Sequence, residues 1–191
     1  MRGHVILSLC DHTGNWARPY ADAGYDVRLV DIKQGQDVRL LKLPNVPVHG
    51  ILAAPPCTVF ASSGARWPRT DDEMRNGLSV VDACLRVVLM CQPKWWALEN
   101  PVGKLRQYLG PPVFRFDPCD FGAMAEEDAY TKRTCLWGSF VIPSSLVLGR
   151  NTGVEPTQGS KMHLMAPSPE RQALRSATPM GFAKAFFQAN P

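Results

Sequence analysis

Residues 50–57 read Gly-Ile-Leu-Ala-Ala-Pro-Pro-Cys, a short apolar run that stops at two prolines and a cysteine. The run has the length and composition of a buried strand, and the prolines end it. Residues 95–101 read Trp-Trp-Ala-Leu-Glu-Asn-Pro and repeat the arrangement with a carboxylate in place of the thiol. Ligands of an open α/β sheet bind where the carboxyl ends of its strands meet. The sequence therefore predicts that Cys57 and Glu99 face one crevice.

Strand and helix patterns alternate through the first hundred residues. Strands are predicted at residues 5–9, 26–30, 50–54 and 94–98, and helices at 14–23, from 70 until Pro93, and at 102–109. The long helix has the clearest start, because Thr70 and Glu73 match a capping box. Strands that alternate with helices predict an α/β fold, with a doubly wound, mainly parallel sheet covered by helices on both faces.

The second half of the chain has a different pattern. Strands are predicted at residues 113–116 and 134–142 and a final helix at 180–189, while the segment between them is rich in Gly, Pro, Ser and Thr. No repeat or linker divides the chain. We expect one catalytic domain over residues 1–191, with a short irregular insert at 139–176.

Composition and charge exclude several classes of protein. The net charge is +4 without a basic tail, which permits a phosphate-bearing partner and does not require one. The six cysteines include no Cys-x-x-Cys pair, so no metal site is predicted. No secretory signal or run of membrane-spanning length is evident, so we expect a soluble, cytoplasmic protein with free thiols and no membrane contact.

The first predicted turn, residues 8–16, reads Ser-Leu-Cys-Asp-His-Thr-Gly-Asn-Trp. A polar turn between a strand and a helix presents backbone N–H groups that can hold an anionic group. Asp31, which closes the second strand, is placed to accept hydrogen bonds from a ribose diol. Asp37 could accept one from an adenine amino group. Together these positions favour an adenosine-containing ligand.

This order of motifs resembles the DNA cytosine-5 methyltransferase family, which uses S-adenosylmethionine. Residues 8–14 are similar to its first motif, Asp-Leu-Phe-x-Gly-x-Gly, and residues 55–57 closely resemble its nucleophile loop. Residues 99–101 are similar to its Glu-Asn-Val. Arg133, five residues before Gly138, resembles the second arginine of its Gln-x-Arg-x-Arg motif.

The resemblance implies a role for each of these positions. Cys57 would add to the pyrimidine ring as a nucleophile, Glu99 would hydrogen-bond its N3 edge, and Arg133 would hold the ring carbonyl or the cysteine loop. The implied S-adenosylmethionine contacts are Leu9, Cys10, Asp11, His12, Thr13, Gly14, Asp31, Asp37 and Pro55. The implied substrate contacts are Pro56, Asn100, Arg66 and Lys132. A Rossmann-like methyltransferase fold is the expected architecture.

The chain also departs from the family pattern. His12 stands where the first motif has glycine, so a side chain enters the space where backbone normally approaches the cofactor. Thr131 replaces the first arginine of the later motif, and Lys132 could compensate for it. About 40 residues separate Gly138 from Pro179, too few for the family's usual target-recognition domain. A partner protein could supply target recognition.

Three functions remain open at this point. The first is methyl transfer to carbon 5 of cytosine in DNA through a covalent Cys57 adduct. The second keeps the thiol addition but modifies a free nucleotide or transfers a different group, as in base hypermodification. The third is a catalytically silent protein that binds adenosine or nucleic acid. The presence of both Cys57 and Glu99 argues against the third, because binding alone needs neither.

Overall fold

The structure, a computed structural model, describes residues 3–64, 66–161 and 174–191. Its centre is a six-stranded sheet with the strand order β2-β1-β3-β4-β6-β5. The strands are β1 (Val5–Leu9), β2 (Asp26–Val30), β3 (Val48–Ala53), β4 (Trp95–Pro101), β5 (Phe114–Phe116) and β6 (Thr134–Ser139). The first four run parallel to one another, and β6 is antiparallel to both of its neighbours.

Helices cover both faces of this sheet. They are α1 (Arg18–Asp22), α2 (Asp71–Cys91), α3 (Arg106–Leu109), α4 (Ser145–Leu148) and α5 (Met180–Ala189). Side chains alternate between the two faces of a strand, so Ile6 packs with α1 and α5 while Leu7 packs with α2. The predicted fold class, a mainly parallel sheet between layers of helices, is confirmed.

Several element boundaries differ from the predicted ones. The first helix is only Arg18–Asp22, because the residues before it form a polar turn and Pro19 suits the first turn of a helix. Strand β4 continues to Pro101 through its pairing with β6, so Glu99 lies inside the strand. The capping box of α2 is confirmed: Thr70 Oγ1 accepts from the Glu73 N–H, and the Glu73 carboxylate accepts from the Thr70 N–H.

The described part of the predicted insert contains the short helix α4 and extended chain. Residues 162–173 of that insert lie outside the described residues. The chain then enters α5, whose Phe182 and Phe186 pack against Trp16. This contact places the start of α5 beside the turn that follows β1. None of the helices in the described ranges has the length and apolarity to cross a membrane.

Candidate active site

Cys57 lies in irregular chain four residues beyond the end of β3. The residue is half-buried. The chain before it is held by Asn100, whose side-chain N–H donates to the Pro55 carbonyl at 3.0 Å. Asn100 is fully buried at the end of β4. A buried side chain of one strand thus positions the loop that leaves the neighbouring strand.

Glu99 faces the same region from β4. Burial, the largest effect, raises the pKa of this carboxyl; the positive charge of Lys132 lowers it and the negative charge of Asp11 raises it further. Glu99 is half-buried, so it is a protonatable group at the carboxyl edge of the sheet rather than a core residue. A raised pKa favours the neutral acid, which can donate a hydrogen bond.

The thiol of Cys57 is under the influence of three charged side chains. Burial raises its pKa most, and the negative charge of Glu99 raises it further, whereas Lys132 and Arg175 lower it. Electrostatic effects of this kind require that the groups lie close together. The structure therefore brings Cys57, Glu99, Lys132 and Arg175 into one cluster.

Lys132 and Arg175 are joined directly. The Lys132 ammonium donates to the Arg175 carbonyl at 2.7 Å, and the Arg175 guanidinium donates to Ser63 Oγ at 2.7 Å. Ser63 belongs to the loop that begins at Cys57. Sequence reasoning missed Arg175, because it stands in a segment without motif or periodicity and reaches the site only through contacts distant in the chain.

Arg133, to which the resemblance assigns the ring carbonyl or the cysteine loop, pairs with an acidic side chain in the structure. Its guanidinium pairs with the Asp117 carboxylate at 3.0 Å, and its side chain is 59% exposed. Arg133 is absent from the charges that act on the Cys57 pKa, while the adjacent Lys132 is present.

Two loops at this edge of the sheet are joined by backbone pairing. Ala61 and Gly103 form an isolated bridge, the Ser62 N–H donates to the Val102 carbonyl at 2.9 Å, and the Lys104 N–H donates to the Phe60 carbonyl at 2.8 Å. This pairing connects the loop after Cys57 to the segment after Glu99. It stabilises the relative position of the two candidate catalytic groups.

Alanine at position 103 is expected to weaken this pairing. A Cβ atom there would lie 1.9 Å from the Phe60 carbonyl oxygen, so the backbone of one loop must move. We expect Gly103→Ala to lower the free energy of unfolding by about 1–3 kcal/mol in urea denaturation. Gly153→Ala is the control, because its Cβ would meet nothing closer than 3.5 Å. Equal stability of the two variants would show that the loops do not need this close approach.

The turn after β1 is organised by Asp11. Its carboxylate accepts from Ser8 Oγ, Thr13 Oγ1 and the Gly14 N–H, each at 2.9 Å. Asp11 is thus committed to the turn and acts on Glu99 by its charge. Gly14 has φ +68°, a left-handed conformation in which a side chain is strained. The turn is a rigid polar loop at the carboxyl end of β1.

The other residues of this turn differ in accessibility. Leu9 is fully buried and its carbonyl accepts from the Ala54 N–H, so the structure does not bring it to the cleft surface. Cys10 has φ +60°, which is unusual for a residue other than glycine, and donates its N–H to the Val30 carbonyl. His12 is half-buried, with its carbonyl 3.4 Å from the Gln34 amide nitrogen.

Two carboxylates follow β2. One Asp31 oxygen accepts from the Lys33 N–H at 2.8 Å, and its other oxygen has no hydrogen-bond partner among the described residues. Asp37 is bound in a two-pronged pair with the Arg39 guanidinium, with distances down to 2.6 Å. This pairing lowers the pKa of the Asp37 carboxyl. Asp31 therefore keeps free acceptor capacity at the site, whereas Asp37 has most of its capacity engaged.

The remaining predicted contacts lie around the nucleophile loop. Pro55 is buried beneath it and Pro56 is exposed. Arg66 is exposed, and its guanidinium carbon lies 5.3 Å from the centre of the Trp67 ring. Arg69 pairs with Glu73 at 3.8 Å. Across residues 3–64, 66–161 and 174–191, no cluster of three His, Cys, Asp or Glu side chains could hold a metal ion.

The cations near Cys57 allow a prediction about its reactivity. Lys132→Met removes a positive charge that stabilises the Cys57 thiolate. We therefore expect the alkylation of Cys57 by iodoacetamide to shift to higher pH. Arg175→Met should shift it in the same direction, and Glu99→Gln in the opposite direction. Mass spectrometry of the Cys57 peptide measures the alkylation at each pH.

Lys132→Arg is the matched control for this titration, because it keeps the positive charge. Its alkylation curve should stay near that of the wild type. A Lys132→Met curve that is unchanged, or shifted to lower pH, would contradict the electrostatic assignment.

Comparisons with known proteins found similarity to DNA methyltransferases. No protein-family model matches the chain. A curated relative from Frog virus 3 (isolate Goorha), named Probable DNA (cytosine-5)-methyltransferase, is 26% identical over 145 residues, which are 70% of this chain and 65% of the viral protein. The aligned part thus falls just short of two thirds of that relative.

A solved structure shares the fold. It is an E. coli prophage protein described as a DNA modification methyltransferase, with a TM-score of 0.55 and 18% identity over 80% of this chain and 52% of that protein. At this identity the likeness establishes the fold alone. The sequence match and the Pro-Pro-Cys and Glu-Asn motifs carry the likeness further: in both, the chain is similar to the DNA cytosine-5 methyltransferases.

Proposed function

We propose that this protein transfers a methyl group from S-adenosylmethionine to carbon 5 of cytosine in DNA through a covalent adduct with Cys57. The observation that carries the proposal is the cluster at the carboxyl edge of β3 and β4. There the half-buried Cys57 lies within electrostatic range of the Glu99 carboxyl and of the cations Lys132 and Arg175. The name of the viral relative supports the same reaction.

Cys57 would act as the nucleophile. Carbon 5 of cytosine is unreactive while the ring is aromatic, and addition of a thiolate to carbon 6 breaks the aromaticity. The new S–C6 bond pushes an electron pair toward N3 and carbon 5. Because burial and Glu99 raise the pKa of the Cys57 thiol, the cations Lys132 and Arg175 have the role of favouring the thiolate.

Glu99 would stabilise the negative charge that this addition places on the ring. A neutral carboxyl can donate a hydrogen bond to N3 and accept one from the exocyclic amine, an arrangement that distinguishes cytosine from uracil. The raised pKa of Glu99 suits that role, because it favours the protonated carboxyl. Lys132 limits this effect, because its charge favours the carboxylate.

The turn after β1 and the end of β2 would hold the cofactor. Asp31 fits an adenosyl group, because one carboxylate oxygen is free among the described residues to accept from a ribose hydroxyl. Asp37 could contact the adenine only with the capacity that Arg39 leaves to it. When bound, S-adenosylmethionine supplies an electrophilic methyl group on a sulfonium. His12 is the residue through which a different donor could be selected.

Release of the product returns Cys57 to its starting state. After carbon 5 is methylated, its proton leaves to a base, the C5–C6 double bond re-forms and the S–C6 bond breaks to regenerate the thiolate. A cytosine within a duplex must first be turned out of the stack to reach the thiol. We further propose that a partner protein contributes to the choice of target sequence.

Mass spectrometry of nucleosides tests the proposal. The purified protein is incubated with S-adenosylmethionine whose methyl group carries deuterium and with cytosine-containing DNA, and the DNA is digested to nucleosides. We expect deuterated 5-methyldeoxycytidine. Deoxycytidine monophosphate is offered to the protein as a second substrate. Label that appears only in this nucleotide would indicate that the protein acts on a free nucleotide and not on DNA. Label in neither pyrimidine would contradict the proposed transfer.

A further inference from the structure

A cavity of about 360 Å³ adjoins the nucleophile loop, between the loop itself and the segment after β4. The paired residues Ala61 and Gly103 join its two sides. Neither Cys57 nor Glu99 lines it, so the proposed reaction leaves this space unused. Its lining nevertheless begins at Val59, two residues after the nucleophile. Anything bound there lies next to the site.

The lining of this groove carries positive charge. Arg69, Lys104 and Arg106 line it, and its described lining includes no aspartate or glutamate. Lys104 and Arg106 are exposed, and their side chains make no ion pair or hydrogen bond within the described part of the chain. Arg69 is partly engaged by the Thr58 carbonyl at 3.1 Å and by Glu73. Two uncompensated cations beside a nucleophile are suited to an anionic ligand.

An aromatic ring lies among these cations. Trp67 lines the groove and is 59% exposed, whereas Trp16 and Trp95 are buried in the core. An exposed tryptophan forgoes the stabilisation that burial of its large apolar surface would give. Grooves that bind single-stranded nucleic acid combine basic residues for phosphates with aromatic rings on which bases stack. Both components are present here within one cavity.

We propose that this groove binds the sugar–phosphate backbone of the DNA strand that carries the target base, with an unpaired neighbouring base stacked on Trp67. The identity of the strand as DNA rests on the proposed function. Lys104 and Arg106 contact phosphates, and the Ala61–Gly103 pairing keeps them in register with Cys57. The groove thereby supplies DNA affinity from within the catalytic domain, independently of any partner that selects the sequence.

Binding of a fluorescein-labelled, cytosine-containing single-stranded DNA of 20 nucleotides tests this proposal. We expect the Lys104→Glu/Arg106→Glu variant to bind this DNA more weakly than the wild type does. The affinity of the variant should also depend less on salt: the slope of log K, the association constant, against log salt should decrease in magnitude by about 0.7 for each phosphate that the variant no longer neutralises. Trp67→Ala should weaken binding about 5- to 100-fold, and Trp67→Phe less, because a ring remains. Lys94→Glu, compared with Lys104→Glu alone, is the charge-matched control, since Lys94 is exposed at the opposite end of β4.

The outcomes separate this inference from the proposed function. An equal loss of affinity in Lys94→Glu, unchanged affinity in the groove variants, or no DNA binding by the wild type would overturn it. Groove variants should still reach the wild-type yield of covalent adduct at saturating DNA, where the adduct is trapped with 5-fluorocytosine. The wild type could form no adduct while the groove variants still bind DNA more weakly than the wild type does. That result would support the groove as a DNA-binding site and contradict the proposed reaction.

Discussion

Cys57→Ala is expected to abolish the covalent adduct with DNA that contains 5-fluorocytosine. In the proposed mechanism every turnover passes through the S–C6 bond, and alanine has no atom that can form it. Methyl transfer should fall by on the order of 10⁴-fold or more, the scale seen when an enzyme loses its nucleophile. The adduct is measured as a mass increase of the intact protein under denaturing conditions.

Cys91→Ala is the matched control for this experiment. Cys91 is also a half-buried free thiol, but it lies at the end of α2 away from the strand edge that carries Cys57. Its variant should form the adduct at the wild-type yield. An adduct that survives in Cys57→Ala and disappears in Cys91→Ala would reassign the nucleophile.

Glu99→Gln is expected to separate activity from stability. Glutamine cannot donate its proton as an acid does, so the rate of methyl transfer should fall by about 10²- to 10⁴-fold. The same substitution removes a carboxyl whose ionised form is disfavoured by burial. We therefore expect the Tm at neutral pH to rise, as is common when a residue serves function at the expense of stability.

The pH dependence of this stability has a defined sign. The folded protein holds the pKa of Glu99 above its ordinary value of 4.5, so it retains a proton that the unfolded chain has already lost. The stability that this proton gives to the fold is fully present below the unfolded-state pKa. It is lost as the pH rises through the folded-state pKa. The Tm advantage of Glu99→Gln should thus be larger at pH 8 than at pH 4.

Glu155→Gln provides the comparison for both measurements, because Glu155 is exposed outside the site. It should change neither the rate nor the Tm beyond experimental error. A Glu99→Gln protein that is less stable than the wild type at pH 8 would indicate that the folded protein stabilises the carboxylate more than burial disfavours it.

Local pattern was sufficient for most of the architecture. The patterns that predicted β1, β2 and β3, and the capping box that begins α2, are each visible within a few consecutive residues. The first helix was predicted too long because a polar turn organised by Asp11 replaces its first residues. That competition between a side-chain-stabilised turn and a helix has no clear signature in hydrophobic periodicity.

The candidate site, like the fold, was predicted in part from local sequence patterns. Cys57 and Glu99 were predicted together because parallel strands align their carboxyl ends, so two local motifs imply one place. Two cations were predicted from the motif, Arg133 by its spacing and Lys132 as a substitute for the arginine missing at position 131. In the structure Arg133 pairs with Asp117, and Lys132 lies close enough to Glu99 for its charge to lower the pKa of that carboxyl.

The sequence by itself determined the class of sheet, and it predicted the strand edge and the two groups, Cys57 and Glu99, on which the proposed reaction depends. Only the tertiary structure decided which cations face the thiol. Lys132 reaches a carbonyl 43 positions away and Arg175 a hydroxyl 112 positions away. Such contacts form because packing brings distant segments together, and the order of residues along the chain carries no local pattern for them.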